Sequence, residues 1–249
     1  MIEARDLGMR FADRWVVEAV SFVVEPGEVV GFLGPNGAGK STTMRMLCGA
    51  LKPSAGSARI CGDDVVRHRR RAQTRIGYLP EAADGFADLT VREFLTFCGE
   101  ARGLRGRRLR ASIDDVCARI ELAPALGRRM RHLSKGWRQR AWFAQAILHD
   151  PPVLIMDEPT DGLDPNQKRQ VRQFVLDVRA TKAVLLSTHI LEEAEEICTR
   201  AIVVAGGRIV ADASPAALAD ERGRLADAFH RLTEPAGDGS VEPLPTMEQ

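Results

Sequence analysis

The segment Gly34-Pro35-Asn36-Gly37-Ala38-Gly39-Lys40-Ser41-Thr42 carries the clearest chemistry in the chain. It fits the pattern G-x-x-x-x-G-K-[ST]. The apolar run Val29-Val30-Gly31-Phe32-Leu33 precedes it, and a helix-compatible stretch from Thr42 to Leu51 follows. Strand, glycine loop and helix in that order make a phosphate cradle. Glycines let backbone N–H groups turn inward without a Cβ in the way. The helix N-terminus aims about half a positive charge at the same anion. Lys40 is expected to reach the β- and γ-phosphates, and the Ser41 hydroxyl to ligate Mg²⁺. These residues by themselves specify a nucleoside triphosphate and no particular machine.

Three further groups extend the chemistry. Val153-Leu154-Ile155-Met156 is an apolar run that ends in Asp157 and Glu158. Parallel sheets place ligand chemistry at the carboxyl ends of their strands. Asp157 is therefore expected near Ser41, holding Mg²⁺ or its water shell, and Glu158 is expected to polarise an attacking water. His189 ends Leu185-Leu186-Ser187-Thr188, where a γ-phosphate sensor is needed. The other four histidines, His68, His132, His149 and His230, have no such context and read as surface or packing residues. Ser134 and Gly136 precede a helix expected from about Trp137 to Leu148, a second potential anion site. Two phosphate-binding helix starts on one chain suggest nucleotides shared between two subunits.

The elements that must position these groups alternate. Residues 1–33 show strand-like alternation, with a turn at Glu25-Pro26-Gly27-Glu28. Val29–Leu33 is almost continuously apolar, as a strand buried on both faces should be. Short strands are expected at Ser57–Cys61, Ile76–Leu79, Val153–Met156 and Ala183–Leu186, with a hairpin around Gly206-Gly207. Between Thr90 and Arg131 strand signals vanish, and helical spacing appears in Val91, Phe94, Leu95 and Cys98, then in Ile113, Val116 and Ile120. Helices are also expected at Gln167–Arg179 and Leu191–Cys198, and a start at Ser214-Pro215. The alternation argues for a mostly parallel sheet flanked by helices.

Composition bounds the rest. The 249 residues suit one large α/β domain or two small ones, and the net charge of +1 gives no global field for nucleic acid. Only five of the 35 basic residues are lysines (Lys40, Lys52, Lys135, Lys168 and Lys182). The basic run Arg67-His68-Arg69-Arg70-Arg71 reads as a solvated helix face. Five cysteines without a C-x-x-C pair read as free thiols in a reducing compartment. No signal peptide is expected at the N-terminus, and no apolar run approaches the roughly 18 residues of a membrane span.

Together these pieces resemble the nucleotide-binding subunit of ABC transporters. Gly34 to Thr42 is similar to the Walker A motif, and Val153 to Glu158 to the Walker B motif with its catalytic glutamate. Leu133-Ser134-Lys135-Gly136-Trp137 resembles the signature motif, Asp161-Gly162-Leu163-Asp164 the D-loop, and Ser187-Thr188-His189 the switch histidine. Phe11, 29 residues before Lys40, stands where the family stacks an aromatic ring on adenine. Three positions depart from the family. Glu81 replaces the Q-loop glutamine, Lys135 and Trp137 replace glycine and glutamine in the signature, and Phe11 replaces the more usual tyrosine. The Tyr78-Leu79-Pro80-Glu81 and signature variants resemble the bacterial multidrug and gliding-motility export branch.

The resemblance implies an α/β fold of the P-loop NTPase (RecA-like) kind. It has a mostly parallel sheet core, an N-terminal antiparallel β subdomain and an inserted α-helical subdomain. The core would occupy 1–84 and 151–233, the helical insertion 85–150, and a disordered tail 234–249. ATP would bind Phe11, Gly34, Pro35, Asn36, Gly37, Ala38, Gly39, Lys40, Ser41 and Thr42, with Ser134 and Gly136 of a second subunit closing over the γ-phosphate. Ser41, Glu81 and Asp157 would hold Mg²⁺, with Glu158 and His189 catalytic. The implied partners are a second ATP-binding subunit, either identical or a paralogue, and membrane permease subunits, with no nucleic acid expected. The implied place is the cytoplasmic face of the cell membrane, held through the permease. The rival readings are a soluble ATPase of the same family acting on nucleic acid or ribosomes, and a non-hydrolysing docking subunit.

Overall fold

The computed structural model describes residues 1–82, 84–219 and 224–234. Strands β1 (Ile2–Phe11), β2 (Arg14–Val24) and β3 (Val29–Leu33) lead into helix α1 (Lys40–Leu47). Then come β4 (Ala55–Ile60), β5 (Asp63–Asp64), α2 (Arg69–Thr74) and β6 (Ile76–Leu79). Helices α3 (Val91–Ala101), α4 (Gly106–Arg119) and α5 (Lys135–Ile147) follow without an intervening strand. The chain closes through β7 (Val153–Asp157), α6 (Pro165–Val178), β8 (Ala183–Thr188), α7 (Leu191–Ile197), β9 (Arg200–Ala205), β10 (Arg208–Ala213), α8 (Pro215–Leu218) and α9 (Leu225–Thr233). The expected disordered tail lies, from Pro235 onward, outside the described residues.

Two sheets result. The larger has the order β10-β9-β3-β8-β7-β6, with every pair parallel except β10–β9. The smaller is antiparallel, β2-β1-β4-β5. The apolar runs are continuous because the larger sheet is covered on both sides. Val29 and Leu33 of β3, Leu154 and Met156 of β7, and Val184 and Leu186 of β8 face one core with the helices. Val30, Phe32, Val153, Ile155, Ala183 and Leu185 face a second core with the antiparallel sheet and α1. Each strand thus feeds both cores through its period of two.

Several bounds differ from the sequence reading. Helix α1 starts at Lys40 rather than Thr42 and ends at Leu47 rather than Leu51, so Lys40 and Ser41 lie in its first turn. Helix α5 starts at Lys135, two residues earlier than expected, with Ser134 as its N-cap. Helix α6 starts at Pro165 because Asp164 caps it, accepting from the Asn166 and Gln167 N–H groups. Proline at the first position costs nothing there, since that N–H has no helical partner. All five cysteines are free; Cys48, Cys117 and Cys198 are buried, Cys61 and Cys98 half-buried.

Candidate functional site

The register of the parallel sheet assembles the site. Leu33 pairs with Thr188, Asp157 with Ser187, and Leu79 with Met156. The segments that leave these strands at their carboxyl ends are the glycine loop, the Asp157-Glu158 turn, the Thr188-His189 turn and the Pro80-Glu81 loop. Four pieces far apart in sequence therefore emerge along one sheet edge. One part of the resulting cleft is lined by Val16, Asn36, Gly37, Gly39, Lys40, Ser41, Thr42, Glu81 and Glu158. It continues into a part lined by Gly34, Pro35, Asn36, Glu81, Glu158, Asp161, His189 and Phe229.

Backbone crowding shapes the glycine loop. A Cβ on Gly34 would collide with the Val204 carbonyl oxygen of β9. Gly39 has φ +98°, and a Cβ there would lie 2.6 Å from the Val16 carbonyl oxygen of β2. The loop is wedged between the two sheets, and only glycine passes at both ends. Ala38 is buried in the core, so it meets a ligand through its backbone. Lys40 is buried, and its Nζ donates to the Gly34 (2.7 Å) and Pro35 (3.2 Å) carbonyls. The ammonium is thus folded back over the mouth of the loop. Carbonyls are weaker partners for a cation than phosphate oxygens, so an anion in the cradle can draw it away.

Glu158 sits under strain. It follows the buried strand β7 with φ +50°, a left-handed conformation uncommon outside glycine. Its N–H donates to Ser187 Oγ (2.9 Å), and the Ser187 hydroxyl donates to Asp157 Oδ1 (2.6 Å). Ser187 thereby locks the ends of β7 and β8 together. His189 Nδ1 lies 2.9 Å from Glu158 Oε2. When Glu158 is ionised the carboxylate only accepts, and Nδ1 then carries the proton of this contact. Burial pushes the Glu158 carboxyl above the ordinary glutamate range, opposed by His189 and Lys40.

The structure does not bring all the expected residues together. Asp157 is 1% exposed and stands behind the cleft wall, its carboxylate turned to Ser187. Phe11 is half exposed at the tip of the β1–β2 hairpin and is not a lining residue; Val16 lines the cleft. Ser134 and Gly136 lie outside both parts of the cleft. The Ser134 hydroxyl accepts from the Trp137 N–H (3.4 Å), and Gly136 packs so tightly on α6 that a Cβ would stand 2.8 Å from Gln167 Oε1. Lys135 donates to Asp161 Oδ2 (2.7 Å), which holds the Asp161 carboxyl below its usual range, and its stem lies over Gly162. The signature-like segment is therefore strapped to the Asp161–Asp164 turn. Arg140 stacks over the Trp137 ring at 3.8 Å.

Sequence reasoning missed three residues. Ser187 looked like an ordinary strand position, although its place opposite Asp157 follows once the register is known. Val16 gave no signal beyond strand alternation. Phe229, from α9, reaches the cleft from the chain's far end, which no local pattern announces.

Comparison with known proteins agrees with this geometry. Residues 17–161 match the family model described as ABC transporter. The chain is 40% identical over 218 residues to the Nod factor export ATP-binding protein I of Paraburkholderia xenovorans (strain LB400), covering 87% of this chain and 72% of that protein. It is 38% identical to the protein of the same name from Rhizobium etli, covering 88% and 70%. The solved structure of an ATP binding subunit of an ABC transporter superposes with a TM-score of 0.86 at 30% identity, covering 93% of this chain and 99% of that one. A bacterial ABC transporter cassette solved as a dimer shares the fold, with a TM-score of 0.79 at 22% identity over 86% and 98%. With a phosphate cradle, two acidic groups and a histidine on one sheet edge, and relatives of this kind along most of its length, the chain belongs to the ABC transporter family as an ATP-binding subunit and ATPase.

Proposed function

We propose that this subunit hydrolyses ATP as one half of a dimer and that the cycle of closure and opening drives export through separate membrane permease subunits. The observation that carries the reading is the separation of the two anion sites. Neither Ser134 nor Gly136 lines the cleft that holds Lys40, Glu158 and His189, so a γ-phosphate enclosed from both sides would take the signature-like segment of a second subunit. The related cassette solved as a dimer supports the arrangement. A second copy of this chain or a paralogue would serve.

In the proposed site Gly34 to Thr42 grip the phosphates through backbone N–H groups, and Lys40 leaves the Gly34 and Pro35 carbonyls for them. Phe11 closes over the base when the hairpin tip moves inward. Glu158 orients and polarises the attacking water, and His189 holds the carboxylate in place through its Nδ1–H. Ser41, Glu81 and Asp157 are hard oxygen donors of the kind Mg²⁺ takes, with Ser41 and Glu81 in the cleft and Asp157 behind it. The ion, when bound, offsets charge on the phosphates.

Domain boundaries of 1–84 with 151–233 for the core and 85–150 for the helical insertion suit this mechanism. Helices α3 to α5 would carry motion outward from the Glu81 loop. A groove lined by Cys48, Gln73, Tyr78, Ala101 and Arg102 lies where the core meets α3 and suits a permease segment. No described helix is long and apolar enough to cross a membrane, so the membrane-spanning path would belong to the partner, with this subunit on its cytoplasmic face. The relatives' names support export; the cargo would be selected by the permease. Those relatives do not favour the nucleic-acid reading.

The test is Glu158→Gln. It should bind ATP, accumulate a closed dimer by size-exclusion chromatography, and hydrolyse about 10²–10⁴ times more slowly, as loss of a positioned base does. Near-normal turnover would remove Glu158 from the role.

A further inference from the structure

We infer that the buried carboxylate of Glu193, acting through Thr160 and Thr188, is a positioning group that sets the Glu158–His189 pair. The inference rests on the assignment of Glu158 and His189 given above. Glu193 is 2% exposed and lies in α7, four residues after His189. Its Oε2 accepts from the Thr160 hydroxyl (2.6 Å) and from the Thr188 hydroxyl (3.4 Å). Its Oε1 faces Lys168 Nζ (3.4 Å) and Arg172 Nη2 (3.3 Å), both from α6.

The two threonines are what give this carboxylate reach. Thr160 is two residues after Glu158, and Thr188 is the residue before His189. Both threonines are buried, at 3% and 0% exposure. One carboxylate oxygen therefore joins the turn that carries Glu158 to the turn that carries His189. Thr188 Oγ1 also accepts from the Ile190 N–H (3.0 Å), which fixes the His189 turn from its other side.

Such a tie has a purpose here. Glu158 holds a left-handed backbone that relaxes unless its surroundings over-determine it. Ser187 holds the N–H side of that residue, and the Asp161 N–H donates to the Glu158 carbonyl at 3.1 Å. Thr160 holds the turn two residues on. A buried carboxylate is costly unless paired, and Lys168 and Arg172 supply the pairing. Helix α6 begins directly after the Asp161–Asp164 turn, so displacement of that turn is transmitted to the same carboxylate. Glu193 is thus the common anchor of both catalytic turns and of the helix that follows them.

Substitutions at Thr160 separate positioning from mere stability. Thr160→Val keeps the volume and removes the hydroxyl; Thr160→Ser keeps the hydroxyl. For the full chain hydrolysing Mg-ATP, Thr160→Val should lower kcat about tenfold or more, as a small misplacement of reacting groups does. KM for ATP should stay within about twofold, and Thr160→Ser should restore kcat. In a Glu158→Gln background Thr160→Val should add no further loss, because the group it positions is already gone. Glu193→Gln should reproduce the kcat loss if it folds, and the Thr160 pair decides if it does not. The proposal is overturned if kcat is unchanged in Thr160→Val, if serine fails to restore it, or if the loss persists undiminished beside Glu158→Gln. A near-normal rate for Glu158→Gln alone is a separate outcome that strikes the role of Glu158 rather than the tie.

Discussion

The Nδ1 atom of His189 stands 2.9 Å from Oε2 of Glu158, across the ends of two neighbouring parallel strands. The sequence placed each residue at a strand end but gave them separate tasks. In the proposed mechanism the contact joins those tasks, since the imidazole fixes the carboxylate and the carboxylate fixes the Nδ1-protonated tautomer. It also places an ionisable pair in a half-buried site, and burial pushes the carboxyl upward.

That shift has a sign that activity should report. In the proposed mechanism hydrolysis needs the ionised Glu158, so the acid limb of kcat should lie above the ordinary glutamate value of 4.5. His189 opposes the rise; in His189→Ala the limb of the residual activity should move to still higher pH. The raised folded-state pKa also means that Glu158 favours folding at low pH, an effect lost as pH rises through that pKa. Glu158→Gln should therefore raise the thermal midpoint at neutral pH. A limb at or below 4.5 would contradict this account.

Gly39 carries both a positive φ and a close backbone neighbour, whereas a Cβ on Gly37, at φ +80°, meets nothing within 4 Å. Gly39→Ala should lower the thermal midpoint by roughly 3–10 °C, from about 1–3 kcal/mol of strain, and weaken ATP binding. Gly37→Ala should lose only the smaller backbone part of that stability. Differential scanning calorimetry of both variants measures the contrast. Equal losses would show that the contact with Val16 does not matter.

Phe11 tests how far the hairpin moves. It is half exposed and outside the cleft lining, so Phe11→Ala should leave the stability of the free protein almost unchanged. If the ring stacks on adenine, ATP affinity should fall by about 1–3 kcal/mol, with GTP affinity affected to a similar degree because stacking is tolerant of the base. Titration calorimetry with both nucleotides reads this directly. Unchanged affinities would remove Phe11 from the site and leave Val16 as its wall.

Much of this protein was legible in its residues because the signals are local. The glycine loop, the apolar strand before Asp157 and Glu158, and the strand before His189 announce themselves in runs of five to nine positions. Backbone geometry and period-two burial act over that same range. The helical texture between Thr90 and Arg131 was legible for the same reason, and α3, α4 and α5 occupy the span between β6 and β7.

What the tertiary structure alone decided is non-local. Strand register placed Ser187 against Asp157 and the Glu158 N–H, closed the Glu158–His189 contact, and brought Phe229 from α9 to a cleft built some 190 residues earlier. It turned Asp157 away behind the wall, and it strapped Lys135 to Asp161, a residue of the cleft wall. A sequence fixes which side chains can do chemistry at a strand's end. Only the pairing of that strand with its neighbours fixes which of them meet, because a hydrogen bond depends on tenths of an ångström between segments that no spacing along the chain encodes.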